Sequence, residues 1–282
     1  MPRNTFSLCL YAGITVVWYA AFITFMIAAL GFVIAALWRL IDPAASRAPY
    51  GVLFNVSAAQ ATPLSVQLEL DFITTKFATA RVLRPDLNAV NLLAIGRAVD
   101  LNMVCGVAWS DAIGDMQRQL DLLAQAISSH PSTCSAVLIG NDDMAGMSSE
   151  TVRQAIVTTR ESVTKAVMTW KDRHPKDSTT IQVPVGIAQT DAQWVTATGI
   201  LMATYCDVVG VNMYLDSDDM IDTLNVKWNA MKALFGDRVR LTGARLGSSK
   251  AAAMGAFETW AQSRKADKPA IYAEYSSPYT KR

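Results

Sequence analysis

The chain has 282 residues, enough for one large domain or two small ones. Its 25 Lys+Arg nearly balance 24 Asp+Glu, and the net charge of +1 lacks the basic excess of a nucleic-acid footprint, so no nucleic-acid partner is expected. Hydrophobic residues make up 51% of the chain, a high share for a water-soluble domain, and much of the excess sits at the N-terminus.

From position 5 to position 38 there is no charged residue, a run of 34. A helix needs roughly 20 apolar residues to span hydrocarbon, and a secretory signal has an apolar core of only about 7–15. The run therefore predicts one N-terminal transmembrane helix within residues 1–41, a signal-anchor that takes the lipid bilayer as a partner. Trp18, Tyr19 and Trp38 are its candidate interface anchors. A cleaved signal, with processing near Ala44-Ala45-Ser46, is the alternative. Residues 42–49 carry Asp42-Pro43 and Ala48-Pro49 and read as a linker.

Beyond the linker, apolar runs alternate with helical periodicity over 50–282. Strands are predicted at 50–56, 80–83, 102–109, 134–140, 181–188, 207–214, 238–242 and 270–275. Helices are predicted at 63–76, 88–99, 113–128, 148–170, 192–203, 220–235 and 250–264. Pro184 falls inside the fifth strand, where it is disfavoured. Eight such units fit a (β/α)8 TIM barrel. A doubly wound open sheet is the competitor, and it would favour a glycine-rich phosphate loop after the first strand. Asn55-Val56-Ser57-Ala58 stands there instead; Asn55-Val56-Ser57 also forms a glycosylation sequon.

Cys105, Cys134 and Cys206 lie in or beside predicted strands and read as buried thiols. No Cys/His spacing points to a metal, and no cofactor motif is found. His130 and His174 each precede proline at a predicted helix end, which reads as a solvated helix terminus.

A barrel of this type carries its site at the C-terminal ends of its strands. Those tips supply Asn55, Arg84, Asp86, Trp109, Asp111, Asn141, Asp142, Gln189, Asn212, Tyr214, Leu241, Thr242 and Glu274. Aromatics, amides and a few carboxylates are the chemistry of a sugar site: flat rings for pyranose faces, amides for hydroxyls, carboxylates for acid/base work.

At these tips the sequence resembles glycoside hydrolase family 17, the retaining β-1,3-glucanases and β-1,3-glucan transglycosylases. Ala80-Arg81-Val82-Leu83 with Asp86 is similar to the family's "R-x-Y-x-x-D" strand. Cys105-Gly106-Val107-Ala108-Trp109 is similar to "L-G-V-W", and Ile139-Gly140-Asn141-Asp142 to "V-G-N-E". Asp207 to Tyr214 resembles "D-x-V-x-V-N-I-Y-P", and Leu241-Thr242-Gly243 falls where the family has "E-T-G-W-P-S". Ile271 to Tyr275, then Tyr279-Thr280-Lys281, resembles the family's ending. The resemblance implies Asp142 at the acid/base position. It implies β-glucan polysaccharide or oligosaccharide as ligand, with Asn141, Trp109, Asn212, Tyr214 and Asp86 as binding residues. It also implies a membrane partner engaged in glucan synthesis or remodelling, and a lumenal or extracellular barrel.

The chain departs from the pattern where the chemistry is. Retaining hydrolysis uses two carboxyl groups about 5–5.5 Å apart. Leu241 occupies the nucleophile position and cannot form a glycosyl ester, and Asp142 is one methylene shorter than the family's glutamate. The expectation is a glucan-binding relative with catalysis impaired or lost. The alternative is an active glucanase or glucanosyltransferase using Asp142 with Glu274 as a substitute carboxylate. A different function on the same fold is the third reading.

Overall fold

The structure, a computed structural model, describes residues 23–27, 30, 47–54, 56, 58–110, 112, 114–144, 146–215, 220–246, 250–264 and the backbone of 272–274. The chain divides into two compact units, Met1–Arg47 and Ala48–Arg282. In the first, residues 23–27 and 30 are helical. No helix among the described residues is long and apolar enough to cross a membrane. This overturns the expectation of a single-pass membrane protein with a lumenal or extracellular barrel. A span requires one continuous apolar helix of about 20 residues, and the described helical residues 23–27 and 30 do not make one. Most of 1–41, and Asn55, Asp111, the Glu274 side chain and the C-terminal residues 275–282, lie outside the described residues.

In the second unit eight parallel strands close into a barrel: β1 (Ala48–Leu53), β2 (Phe77–Arg81), β3 (Met103–Val107), β4 (Cys134–Ile139), β5 (Val185–Thr190), β6 (Val208–Leu215), β7 (Val239–Leu246) and β8 (Tyr272–Glu274). Each strand pairs with its neighbours in sequence, and β1 pairs with both β2 and β8. Helices connect them: α1 (Pro63–Lys76), α2 (Leu92–Ala98), α3 (Asp115–Ser129), α4 (Ser149–Arg173), α5 (Ala197–Ala203), α6 (Met220–Phe235) and α7 (Lys250–Ser263). Local chemistry sets several boundaries. Thr62 and Ser65 form a reciprocal capping box, and Pro63 sits where a missing N–H costs nothing. Ser148 caps α4, with Glu150 in its first turn and Lys171 and Arg173 in its last, each charge favoured by the helix dipole. Pro184 lies just outside β5, which begins at Val185, and its carbonyl accepts from Val137 N at 2.9 Å. His130 and His174 are exposed at the C-terminal caps of α3 and α4.

Successive residues of β6 point to opposite faces. Val209, Val211, Met213 and Leu215 join the large core beneath the helices, together with Leu70, Ile156, Trp194 and Trp228. Val208 belongs to a separate small cluster with Val104, Ala136, Leu138 and Ala188, contributed by neighbouring strands and filling the bore. Above it on the same face come Gly210, Asn212 and Tyr214.

Two details depart from expectation. A two-stranded antiparallel ribbon, Asp86–Leu87 with Val90–Asn91, precedes α2, and Asn88 and Ala89 at its turn have positive φ. Cys105 and Cys134 form a disulfide between β3 and β4, with Cα atoms 5.6 Å apart, and Cys206 is the free, buried cysteine among the described residues. The strands are neighbours, and the ladder shifts register after the Met103–Cys134 pair; their adjacency brings the cysteines within bonding reach, a proximity that sequence spacing does not reveal. The bridge closes a sequence separation of 29. Chain-entropy estimates give a loop of that size about 3–4 kcal/mol. The paired substitution Cys105→Ala/Cys134→Ala is expected to lose that much in urea-induced unfolding; an unchanged midpoint and slope would show that the bridge contributes nothing.

Candidate functional site

The site is built on the bore-facing positions of β2, β4, β6 and β7. Arg81 ends β2 and is 1% exposed. Its Nη1 donates to Asn212 Oδ1 at 3.0 Å on β6, and to the Thr242 carbonyl at 2.7 Å on β7. In an eight-stranded barrel β2 and β6 lie on opposite sides, so this contact crosses the bore.

Asn212 is 2% exposed and uses its full hydrogen-bonding capacity. Oδ1 also accepts from Thr242 Oγ1 at 2.9 Å. Nδ2 donates to Asn141 Oδ1 at 2.8 Å and to Asp142 Oδ1 at 3.0 Å. Gly243 is required beside it, because a Cβ there would come within 2.9 Å of Asn212 Oδ1.

Asn141 and Asp142 follow β4 in a tight turn. Gly140 has φ +68°, and a Cβ on it would approach Asp143 Oδ1 to 2.4 Å. That oxygen accepts from Asn141 N at 2.9 Å. Asp142 has φ +67°, a conformation that aspartate adopts more readily than most residues, and its N–H donates to the Ala188 carbonyl at 3.1 Å. The two acids thus divide their work. Asp143 braces the turn, while Asp142 turns into the mouth. Neither caps α4, whose cap is Ser148.

Tyr214 closes the constellation. Its hydroxyl donates to Asp142 Oδ2, and the Arg245 guanidinium lies over its ring at 4.8 Å. Burial, then the hydrogen bond and negative charge of Asp142, push its phenol from 10.0 up to about 12, partly opposed by Arg245 and Arg81. The phenol is therefore a neutral donor at ordinary pH. A cavity of about 120 Å³ lies here, lined by Leu53, Arg81, Asn141, Asn212, Tyr214 and residues 243–245.

The structure brings Asn141, Asp142, Asn212 and Tyr214 together. It places two other sequence candidates elsewhere. Trp109 lines a separate cavity of about 540 Å³ between α3 and α4, with Met116, Leu120 and Ala155. Asp86 is buried in an ion-pair network with Arg84 and Arg118, which also engages Asp115. Leu241 pairs in register with Val211 and is fully buried in the core beneath the helices. A register shift between Val211 and Asn212 leaves Thr242 unpaired in the ladder, and its hydroxyl faces Asn212. The backbone of Glu274 pairs with Leu53. Sequence reading named Arg81 only as part of a motif and missed Arg245 as a site residue. A lone arginine inside the apolar run of β2 was the available signal, since arginine is rarely fully buried unless paired.

A raised phenol pKa adds stability that is complete below 10 and is lost as pH rises through about 12. In near-ultraviolet alkaline titration, the component removed by Tyr214→Phe is expected to have its midpoint near about 12. In Asp142→Asn the midpoint should fall yet stay above 10.0, because burial is the larger cause. A wild-type midpoint at 10.0 would show that Asp142 does not hold the phenol.

No family model matches the chain, and no curated protein matches it in sequence. Solved structures do match in fold. A β-1,3-glucanosyltransferase from Rhizomucor miehei, an active-site mutant in complex with laminaritriose, is 13% identical over 82% of this chain and 88% of its own, with a TM-score of 0.60. An endo-laminarinase from Formosa is 10% identical over 81% of this chain and 78% of its own, with a TM-score of 0.52. A Bacteroides uniformis β-glucuronidase is 12% identical over 81% of this chain and 30% of its own, with a TM-score of 0.51. At these identities the shared property is the fold: a TIM-like barrel of the kind that glycoside hydrolases use.

Proposed function

We propose that this chain is a divergent relative of family 17 glycoside hydrolases that binds β-1,3-glucan at the barrel mouth, with the cutting chemistry impaired or lost. The observation that carries the reading is the composition of β7. Val239–Leu246 contains no aspartate or glutamate, so no register of that strand supplies the second carboxylate that retaining hydrolysis requires. Asp142 is also committed. Oδ1 accepts from Asn212 and Oδ2 from Tyr214, so both of its oxygens are engaged in holding the mouth together.

What remains suits recognition. Asn141, Tyr214 and Arg245 line the cavity with an amide, a hydroxyl and a guanidinium that can meet sugar hydroxyls, while Asn212, already fully bonded, holds Asn141 in place. At about 120 Å³ the cavity is below the roughly 300–1,000 Å³ that encloses a drug-sized ligand, which suits one sugar ring or a chain end. The active reading keeps one specific support: the β8 register sets Glu274 beside Leu53, which lines the cavity.

The full chain with laminaritriose by calorimetry, and with laminarin by release of reducing sugar, distinguishes these readings. Binding without turnover is expected. Tyr214→Ala is expected to weaken binding about tenfold, the loss of roughly 1.4 kcal/mol. Turnover abolished by either Asp142→Asn or Glu274→Gln would establish the active reading instead. Neither binding nor turnover would overturn both.

A further inference from the structure

The end of the barrel opposite the mouth carries a groove of its own. It has a volume of about 720 Å³ and lies beside the starts of β4 to β7, under the C-terminal half of α4. One wall is a stripe of that helix. Val163, Thr164, Val167, Met168 and Lys171 recur at three- and four-residue spacing and so share a face. The facing wall is Ile181 to Pro184, the apolar run that leads into β5. These walls are open to the groove. Met168 is 60% exposed, and Val167, Ile181, Val183 and Pro184 are half-buried.

The charge in the groove is one-sided. Arg160, Lys171 and Arg240 line it against one carboxylate, Asp207, among the described lining residues. That carboxylate is already matched. Asp207 accepts from Arg160 Nε at 3.2 Å, from Arg160 Nη2 at 3.1 Å and from Val185 N at 3.1 Å. Arg160 is held in turn by the Tyr205 carbonyl at 2.6 Å. This pair is close to neutral, so the surplus comes from Arg240 and Lys171. Lys171 is exposed and makes no ion pair among the described residues. A long side chain on a helix leans over the turn N-terminal to its own Cα, which sets the Lys171 stem beside Val167 and Met168 and leaves its ammonium at the edge of the apolar strip.

We propose that this groove binds a single-chain anionic amphiphile, an acidic head group on an unbranched apolar chain. Lys171 meets the head, and the chain lies between the α4 stripe and Ile181–Pro184. From Arg160 to Lys171 the helix rises roughly 16 Å, enough to lay such a chain along it. The volume is within the range of small-molecule sites. Methionine supplies an adaptable surface for a flexible chain. A neutral sugar would find no aromatic ring among the described lining residues and would gain nothing from the charge. A cation would meet the surplus of like charge, and a small inorganic anion would leave the apolar walls uncovered. The proposal stands independently of the mouth and of glucan binding.

Decanoate, kept below its micelle-forming concentration at neutral pH, is the probe, titrated into the full chain carrying methyl-labelled methionine. Decyltrimethylammonium has the same chain with the opposite charge, and acetate has the head without the chain. The Met168 methyl signal, assigned with Met168→Leu, is expected to shift saturably with decanoate. Decanoate should bind at least about tenfold more tightly than either control. Lys171→Glu reverses the charge at the head, and Thr164→Glu adds a carboxylate to the stripe. Each is expected to weaken decanoate binding about tenfold with Tm unchanged, because both positions are exposed. Decyltrimethylammonium matching decanoate would make the groove an unselective apolar surface, and acetate matching it would make it a plain anion site. Either result overturns the proposal, as does a Met168 signal that decanoate leaves in place or decanoate affinity unchanged in Lys171→Glu or Thr164→Glu.

Discussion

Arg81 stands in the bore with 1% of its surface exposed, and a cation so placed persists only where the protein supplies acceptors. Asn212 Oδ1 and the Thr242 carbonyl are two of them. Once Oδ1 is held by Arg81 and Thr242, the amide of Asn212 has one orientation left. Its Nδ2 then faces β4 and holds Asn141 and Asp142. Three strands that are not all neighbours are thereby tied to one node, and the mouth inherits its geometry from it. Such networks are valuable when every member is satisfied and harmful when one is missing. Asn212 is satisfied at every position it has, which fixes the floor of the site.

The strand–helix rhythm of this barrel was legible because parallel strands buried on both faces read as short apolar runs between amphipathic helices. The tips were legible too, as far as Asn141, Asp142, Asn212 and Tyr214. What the tips could not disclose was parity. Period two fixes which residues share a face, but a reference residue is needed to say which face is the bore. The Arg81–Asn212 bond supplies that reference. With it, Val107 lies on the helix side of β3, and Trp109, two residues on, ends between α3 and α4. Asp86 was lost for another reason. The chain leaves β2 at Arg81 and enters an unpredicted ribbon, where Arg84 and Arg118 claim the carboxylate.

Long-range covalent and packing facts were the least accessible. Cys105 and Cys134 looked like two more small apolar residues in two strands. Only the pairing of β3 with β4 makes them partners. The charge-free N-terminal run was a compositional signal of the same kind; a span also needs a continuous helix of about 20 residues, and no such apolar helix is among the described residues. The outward turn of Gln189 was invisible for a related reason. A glutamine at a strand tip reads as a mouth residue until parity sends it outward.

The β4–α4 loop connects the mouth to an outer cavity of about 440 Å³ between that loop, the end of β5 and α5. Its first residues, Asn141 and Asp142, belong to the mouth, and Met144 and Met147 a few residues later form a wall of the outer cavity. On β5, the Ala188 carbonyl anchors the Asp142 N–H from one side, and the next residue, Gln189, faces the other. Sharing a loop and a strand does not by itself couple the cavities. A ligand shifts a conformational equilibrium only by its differential affinity for the two states. Here the loop is pinned at its mouth end by a glycine with positive φ, the Asp143 brace and the Asn212 node. A ligand that accepts this loop as it stands leaves Asp142 where it is. A ligand that must move Met144 works against those contacts, and its affinity is reduced by what they contribute.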